Sequence, residues 1–368
     1  MKSTMRKVSR ASHLWLGLIG GLFVCLMSVS GAVVTLRPPL AEWMAPAAAS
    51  RTCTGSSVDW ARAEQQLVAF AHEPINRIYG FSGDDPRLHV RMRTSTDAIF
   101  DHVIYDTCAS QVLGTINFRW MDWLVDLHHN LLAGRTGRNV AGVFGIALLL
   151  SAVSGAFVWL LGRPDLRTVF RFRALRAGSS RDWHRAVGLG AMIVLCLEAY
   201  TGLWLCFPDT MRSTLAVVAS VPKEPRPARP KTDGVSTPPV SLVAVMVSAQ
   251  QAMPDGRVRE VRLPEGYGNV QVRMWKPGDF RSLGNNVVTV SNVTGRVVAV
   301  DSYDAKAAGP RFIQAMAGLH YGEWGGHTFR WLYFVAGMVT LVLFATGLIL
   351  WWKPRASSTR RPHVHAAA

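Results

Sequence analysis

Hydrophobic and polar positions follow two rhythms along the chain. Residues 14–36, 140–161, 186–207 and 331–352 are long, mainly apolar stretches with no Lys or Arg in their interiors. Each is near the ~20 residues that carry an α-helix across a bilayer. The first stretch exceeds the apolar core of a secretory leader. Pro38 and Pro39 follow it in place of a small-residue cleavage site, so it reads as a retained anchor.

Between the apolar stretches the rhythm shortens. Residues 37–139 hold a helical run at 58–72 and strand-like runs at 75–80, 87–93, 100–105 and 111–117. Residues 208–330 begin with a proline-rich linker at 221–239, then a helical run at 241–253. Strand-like runs follow at 258–263, 270–275, 287–290 and 297–300, the last two joined by the turn Asn292-Val293-Thr294-Gly295. The expected fold class is membrane α-helical: a four-helix transmembrane bundle with two α+β lobes on one side.

Basic residues orient this arrangement. The tail 1–13 carries Lys2, Arg6, Lys7 and Arg10, the loop 162–185 carries seven arginines, and the tail 353–368 carries Lys353, Arg355, Arg360 and Arg361. Against them stand Asp165 and Asp182, so thirteen of the net +16 charges fall on one side. Short cytoplasmic segments are enriched in Lys and Arg. Both termini are therefore expected in the cytoplasm of a bacterial inner-membrane protein, with both lobes periplasmic. Topology and lipid headgroups explain the basic excess, and no nucleic-acid partner is expected.

Within the chain, the order helix, lobe, histidine, helix occurs twice. His13 is followed by Gly17 and Gly31, and His184 by Gly188 and Gly202, at the same offsets of 4 and 18. From His128 the spacing runs to Gly134, Arg138, Gly145, Gly155 and Trp159. From His320 it runs identically to Gly326, Arg330, Gly337, Gly347 and Trp351. A duplicated two-helix unit is expected.

The repeated histidines form two candidate pairs, His13 with His184 at cytoplasmic helix ends and His128 with His320 at the periplasmic side. Two imidazoles from opposing helices are what a six-coordinate haem iron needs. Two bis-histidine haem b groups are thus the expected cofactors. Eighteen residues make five helical turns, so Gly31 and Gly202 share the faces of His13 and His184 at the other membrane surface and would let a flat macrocycle approach. Glycine in membrane helices also serves close helix packing. Arg138 and Arg330 are candidate propionate partners. His129 and His327 are alternatives to His128 and His320. His72, His89, His102, His363 and His365 lie outside the pattern and read as surface residues. Zinc or copper fits less well, because no Cys, Asp or Glu joins the pairs at metal-site spacing.

Glu198 lies inside the third span where Met27 holds the matching place in the first, and reads either as a proton or quinol contact or as a protonated carboxyl bonded to a neighbouring helix. Cys53 and Cys108 share the first lobe, either as a disulfide or as two thiols.

These segments resemble a known family. His13-Leu14-Trp15-Leu16-Gly17-Leu18, Asp126-Leu127-His128-His129 with Gly134 and Gly137-Arg138, Asp182-Trp183-His184-Arg185 with Gly188, and Leu319-His320-Tyr321-Gly322 with Gly325-Gly326 are similar to the PepSY-associated transmembrane proteins. The likeness runs over nearly the whole chain. It implies PepSY-like lobes, haem ligands at His13, His128, His184 and His320, and a role in iron uptake as an inner-membrane di-haem ferric-siderophore reductase.

The substrate expected on that resemblance is a ferric siderophore or other ferric chelate. No Gly-rich dinucleotide motif occurs, so the electron donor is expected to be a membrane quinol or a separate reductase. A non-redox siderophore or metal transporter is the rival, and it calls for polar residues along the midplane, of which Glu198 is nearly alone. A regulatory scaffold with partner-binding lobes is the other.

Overall fold

The computed structural model describes residues 2–48, 58–81, 85–94, 100–162, 180–217 and 238–352. The loop arginines 163–176, the linker 221–237, the tail 353–368 and Cys53 lie outside the described residues. Cys108 is disulfide-bonded, and Cys25, Cys196 and Cys206 are free thiols.

Among the described residues three helices are long and apolar enough to cross a membrane: α6 (Gly134–Leu160), α7 (Ser180–Cys206) and α11 (Gly326–Trp352), each of 27 residues. The first predicted span differs from expectation. It is a bent pair, α1 (Lys2–Ile19) and α2 (Gly21–Thr35), with 65° between its halves. Two successive glycines, Gly20 and Gly21, weaken the helix at the break. A Cβ at Gly21 would also stand 2.5 Å from the Phe344 ring of α11. The spans form a closed ring in which α6 packs on α1 and α7, and α11 packs on α7 and α2.

Short helices missed by hydropathy connect the spans to the sheet. They are α3 (Arg37–Met44), α5 (Arg119–Asn130), α8 (Pro208–Leu215) and α10 (Ala308–His320). The helices α5 and α10 matter most, because each ends at or near a repeated histidine. A left-handed glycine then opens the following span, Gly134 at φ +54° and Gly326 at φ +59°. At such φ a side chain would be strained, which accounts for glycine at both corners.

The lobes were expected as separate modules, yet their strands build one antiparallel sheet of eight strands. The strands are β1 (Ile75–Gly80), β2 (Arg87–Arg93), β3 (Phe100–Asp106), β4 (Gln111–Thr115), β5 (Arg257–Arg262), β6 (Asn269–Trp275), β7 (Asn286–Ser291) and β8 (Val297–Asp301). Their order is β4-β3-β2-β1-β5-β6-β7-β8. Two meanders meet where β1 pairs with β5, Ile78 opposite Val261 and Tyr79 opposite Glu260. Joining the two first strands removes two open edges that would otherwise invite aggregation.

Strand side chains alternate between faces. Ile78, Val90, Val103, Val261, Val272 and Val290 form one apolar face under α4 (Trp60–Ala71) and α9 (Leu242–Ala252), which contribute Leu67, Leu242, Val245 and Ala249. The other face carries Arg77, Tyr79, His89, Arg91, His102 and Glu260. It looks onto a cavity that continues into the bundle.

Candidate functional site

The repeated histidines come together in two pairs. His13 and His184 have ring centres 5.9 Å apart and planes at 76°. His128 and His320 have ring centres 6.1 Å apart and planes at 21°. His129 stands beside His128, and His327 lines the same cavity, but the ring opposite His320 is that of His128.

All four rings are held the same way. The His13 Nδ1–H donates to the Ser151 carbonyl at 2.9 Å, and the His128 Nδ1–H donates to the Met27 carbonyl at 2.9 Å. His184 Nδ1 lies 2.9 Å from Thr346 Oγ1, and His320 Nδ1 lies 3.1 Å from Thr201 Oγ1. Each of those hydroxyls already donates to a helix carbonyl, of Val342 and Leu197 respectively, so each accepts from the imidazole N–H. The shared tautomer therefore carries its proton on Nδ1. Nε2 keeps its lone pair, and among the described residues it has no protein hydrogen-bond partner in any of the four. A second-shell bond at one nitrogen is how proteins orient a histidine for metal ligation through the other.

Glycines make room for the rings. A Cβ at Gly31 would stand 2.6 Å from His128 Cε1, at Gly155 2.9 Å from His13 Cε1, at Gly202 3.2 Å from His320 Cε1, and at Gly347 3.6 Å from His184 Cε1. Gly31 and Gly202, expected to border a macrocycle, lie against the His128 and His320 rings. The sequence carries this signal beside the spacing, because a Ser or Thr precedes each of these glycines, as Ser30, Ser154, Thr201 and Thr346.

The second pair opens into a cavity of about 900 Å³. Arg138 and Arg330 both line it. Arg138 Nε donates to Asn130 Oδ1 at 3.3 Å, and Arg330 is buried, donating to the Thr35 carbonyl at 3.0 Å. Glu198 lines it as well, its carboxylate 3.3 Å from His320 Nδ1 and its other oxygen buried without a partner. From the sheet come Arg77, Arg257, Arg259 and Arg262. Burial alone would raise the Glu260 carboxyl, but Arg262, Arg77 and Arg273 outweigh it and hold the group at about 2.

Two facing imidazoles are too few to hold zinc or copper unaided. Among the described residues no cluster of three or more His, Cys, Asp or Glu side chains forms a metal site. Two bonds of roughly 2 Å, plus about 1 Å from each bonded nitrogen to its ring centre, place collinear axial imidazoles about 6 Å apart. Both pairs lie near that spacing, and their open Nε2 atoms are the donors that an iron with four macrocycle ligands would need.

Residues 10–353 match the model of the PepSY-associated TM region. The chain belongs to this family. It is similar to an uncharacterised protein of Pseudomonas aeruginosa, 25% identical over 258 residues, which covers 65% of this chain and 64% of that relative. The chain thus spans less than two thirds of that curated relative's length.

This PepSY-associated chain also holds a polar network that the sequence did not announce. His89 and His102 are buried in the sheet, not on the surface as expected, with 4% and 1% exposure. His89 Nε2 lies 2.7 Å from His102 Nδ1, and His102 Nε2 lies 2.8 Å from Asp122 Oδ2. Asp122 also accepts from Arg37 at 3.2 Å. Burial pushes both imidazoles below their ordinary range; at His89 it is joined by His102 and then by Arg37 and Arg91, and at His102 it outweighs the opposing pull of Asp122. Alternation in β2 and β3 places His89 and His102 opposite the apolar face, but only the pairing of the two strands and the docking of α5 bury them.

Proposed function

We propose that this membrane protein transfers electrons to ferric chelates in the periplasm. It would hold two haem b groups, one at His13 and His184 and one at His128 and His320. The observation that carries this reading is the common state of the four imidazoles: paired across the bundle about 6 Å apart, each committed through Nδ1 and open at Nε2. A porphyrin iron held between two imidazoles supplies one-electron chemistry by alternating between its ferric and ferrous states.

The chain's own residues do the rest. Ser151, Met27, Thr346 and Thr201 fix the tautomers, and the glycines set the depth of each ring. On α7, His184 and Gly202 are 18 residues apart, about 27 Å of helix rise, so the two pairs serve opposite leaflets. The sheet face lines the cavity at His128 and His320. At that cavity a ferric chelate gains one electron and becomes a ferrous chelate. Hard oxygen donors hold Fe(II) less tightly, so the metal is released with the ligand intact. The electron comes from a membrane quinol or a separate reductase, either of which is oxidised in turn. The duplicated unit, the cytoplasmic termini and the inner-membrane location belong to this same reading.

The test is stopped-flow mixing of chemically reduced, purified protein with a ferric chelate and a ferrous-iron indicator. Reoxidation of the protein in step with ferrous-iron appearance supports the reading. Reduced protein that stays reduced over a large excess of several chelates rejects it.

A further inference from the structure

The cavity at His128 and His320 is unequal in charge. Besides the four sheet arginines, Arg37, Arg138, Arg281 and Arg330 line it, against Glu42, Glu198, Glu260 and Glu323 among the described residues. Every cation in the lining is an arginine and none is a lysine. Guanidinium groups grip planar oxyanions through two parallel hydrogen bonds, which the ammonium of lysine does not.

The carboxylates do not balance this lining. Glu260 is shared between Arg77 at 3.4 Å, Arg262 at 2.9 Å and Arg273 at 3.0 Å. Arg281 holds Glu323, and just behind the lining Asp122 holds Arg37 while Arg273 holds Glu260; with every carboxylate ionised, these nine arginines against five carboxylates leave an excess of four. Two porphyrin propionates at this pair would offset half of that excess. In the proposed topology this is the translocated side, where short segments are poor in basic residues. Orientation therefore gives no reason for the arginines. Tyr79 reports the same field: burial would raise its phenol, yet Arg37, Arg77 and Arg91 hold it below its ordinary value.

We propose that the vestibule selects ferric chelates of net negative charge that present carboxylate or phenolate oxygens to the arginines; this rests on the reductase reading and names its substrate class. The positive field concentrates such chelates at the cavity mouth, and the guanidinium groups orient them.

Binding and electron transfer are separated by using redox-inert gallium(III) in place of iron. The probes are two gallium complexes of one linear trihydroxamate, its pendant amine either free, giving one positive charge, or succinylated, giving one negative charge. Calorimetry on the full chain in zwitterionic nanodiscs is expected to show the anionic complex binding about tenfold tighter, with the difference shrinking as salt is raised. Arg257→Glu is expected to weaken it several-fold and Glu42→Lys to tighten it. Opposite signs from two lining positions are not what misfolding produces. Equal binding of the two complexes, or tighter binding of the cationic one, overturns the proposal. Loss of the preference in nanodiscs rich in anionic lipid also overturns it, because the arginines then serve lipid headgroups. Gallium binding without any reduction of the iron complexes would sink the reductase reading and leave the anion site standing. Reduction indifferent to charge would do the reverse.

Discussion

The imidazoles of His128 and His320 face each other 6.1 Å apart and within 21° of parallel, while those of His13 and His184 stand 5.9 Å apart and nearly perpendicular. Mutual orientation of axial imidazoles sets the splitting of the iron d orbitals. Ferric protein is therefore expected to give two distinct low-spin EPR species, one rhombic and one strongly anisotropic. The first is lost in His128→Ala/His320→Ala and the second in His13→Ala/His184→Ala. A single species removed by neither double variant would contradict the pairing.

Clearance at the glycines grades the next prediction. Gly31→Ala puts a methyl 2.6 Å from the His128 ring and Gly347→Ala one 3.6 Å from the His184 ring. The first must displace its ring, and the second makes ordinary van der Waals contact. Gly31→Ala is expected to lower haem occupancy at the His128 and His320 pair, and Gly347→Ala to leave occupancy unchanged. Equal effects, measured by haem content after purification, would remove the packing role assigned to these glycines.

Much of this arrangement could be read from sequence and some could not. The repeat picked out His13, His128, His184 and His320, and the order of the spans put His13 with His184 at one membrane surface and His128 with His320 at the other. The strands at 75–80 and 87–93 followed from alternation. The break at Gly20 did not, since hydropathy stays high across it and only the approach of Phe344 singles out the position. The merger of the lobes into one sheet was equally hidden, because Ile78 opposite Val261 is a contact between strands nearly two hundred residues apart. The short helices α5 and α10, which carry His128 and His320 in their last turns, are amphipathic and too polar for a span, so they read as parts of the lobes.

Asp122 binds three elements together through His102, Arg37 and the start of α5. Replacing it with Ala leaves a buried cation-rich pocket uncompensated and is expected to lower stability by about 3 kcal/mol. Thermal unfolding monitored by tryptophan fluorescence reads this. A shift no larger than that of an exposed control such as Glu265→Ala would mean the network contributes little.

Glu260 predicts an acid dependence. Its folded value is depressed to about 2 from an ordinary 4.5, so its contribution is fully present above the ordinary value and is lost as pH falls toward 2. The contribution is about 3 kcal/mol, from the size of the shift. The stability gap between the native protein and Glu260→Gln should be open at pH 7 and closed near pH 2. A gap independent of pH would assign the effect to packing and not to charge.

One quantity decides whether paired imidazoles hold porphyrin iron: the haem-to-protein ratio of the purified full chain, taken with its visible spectrum. Two haems per chain with a low-spin ferrous spectrum are expected, falling to one in each paired His→Ala variant. A folded, colourless protein, or a ratio untouched by those substitutions, would contradict it.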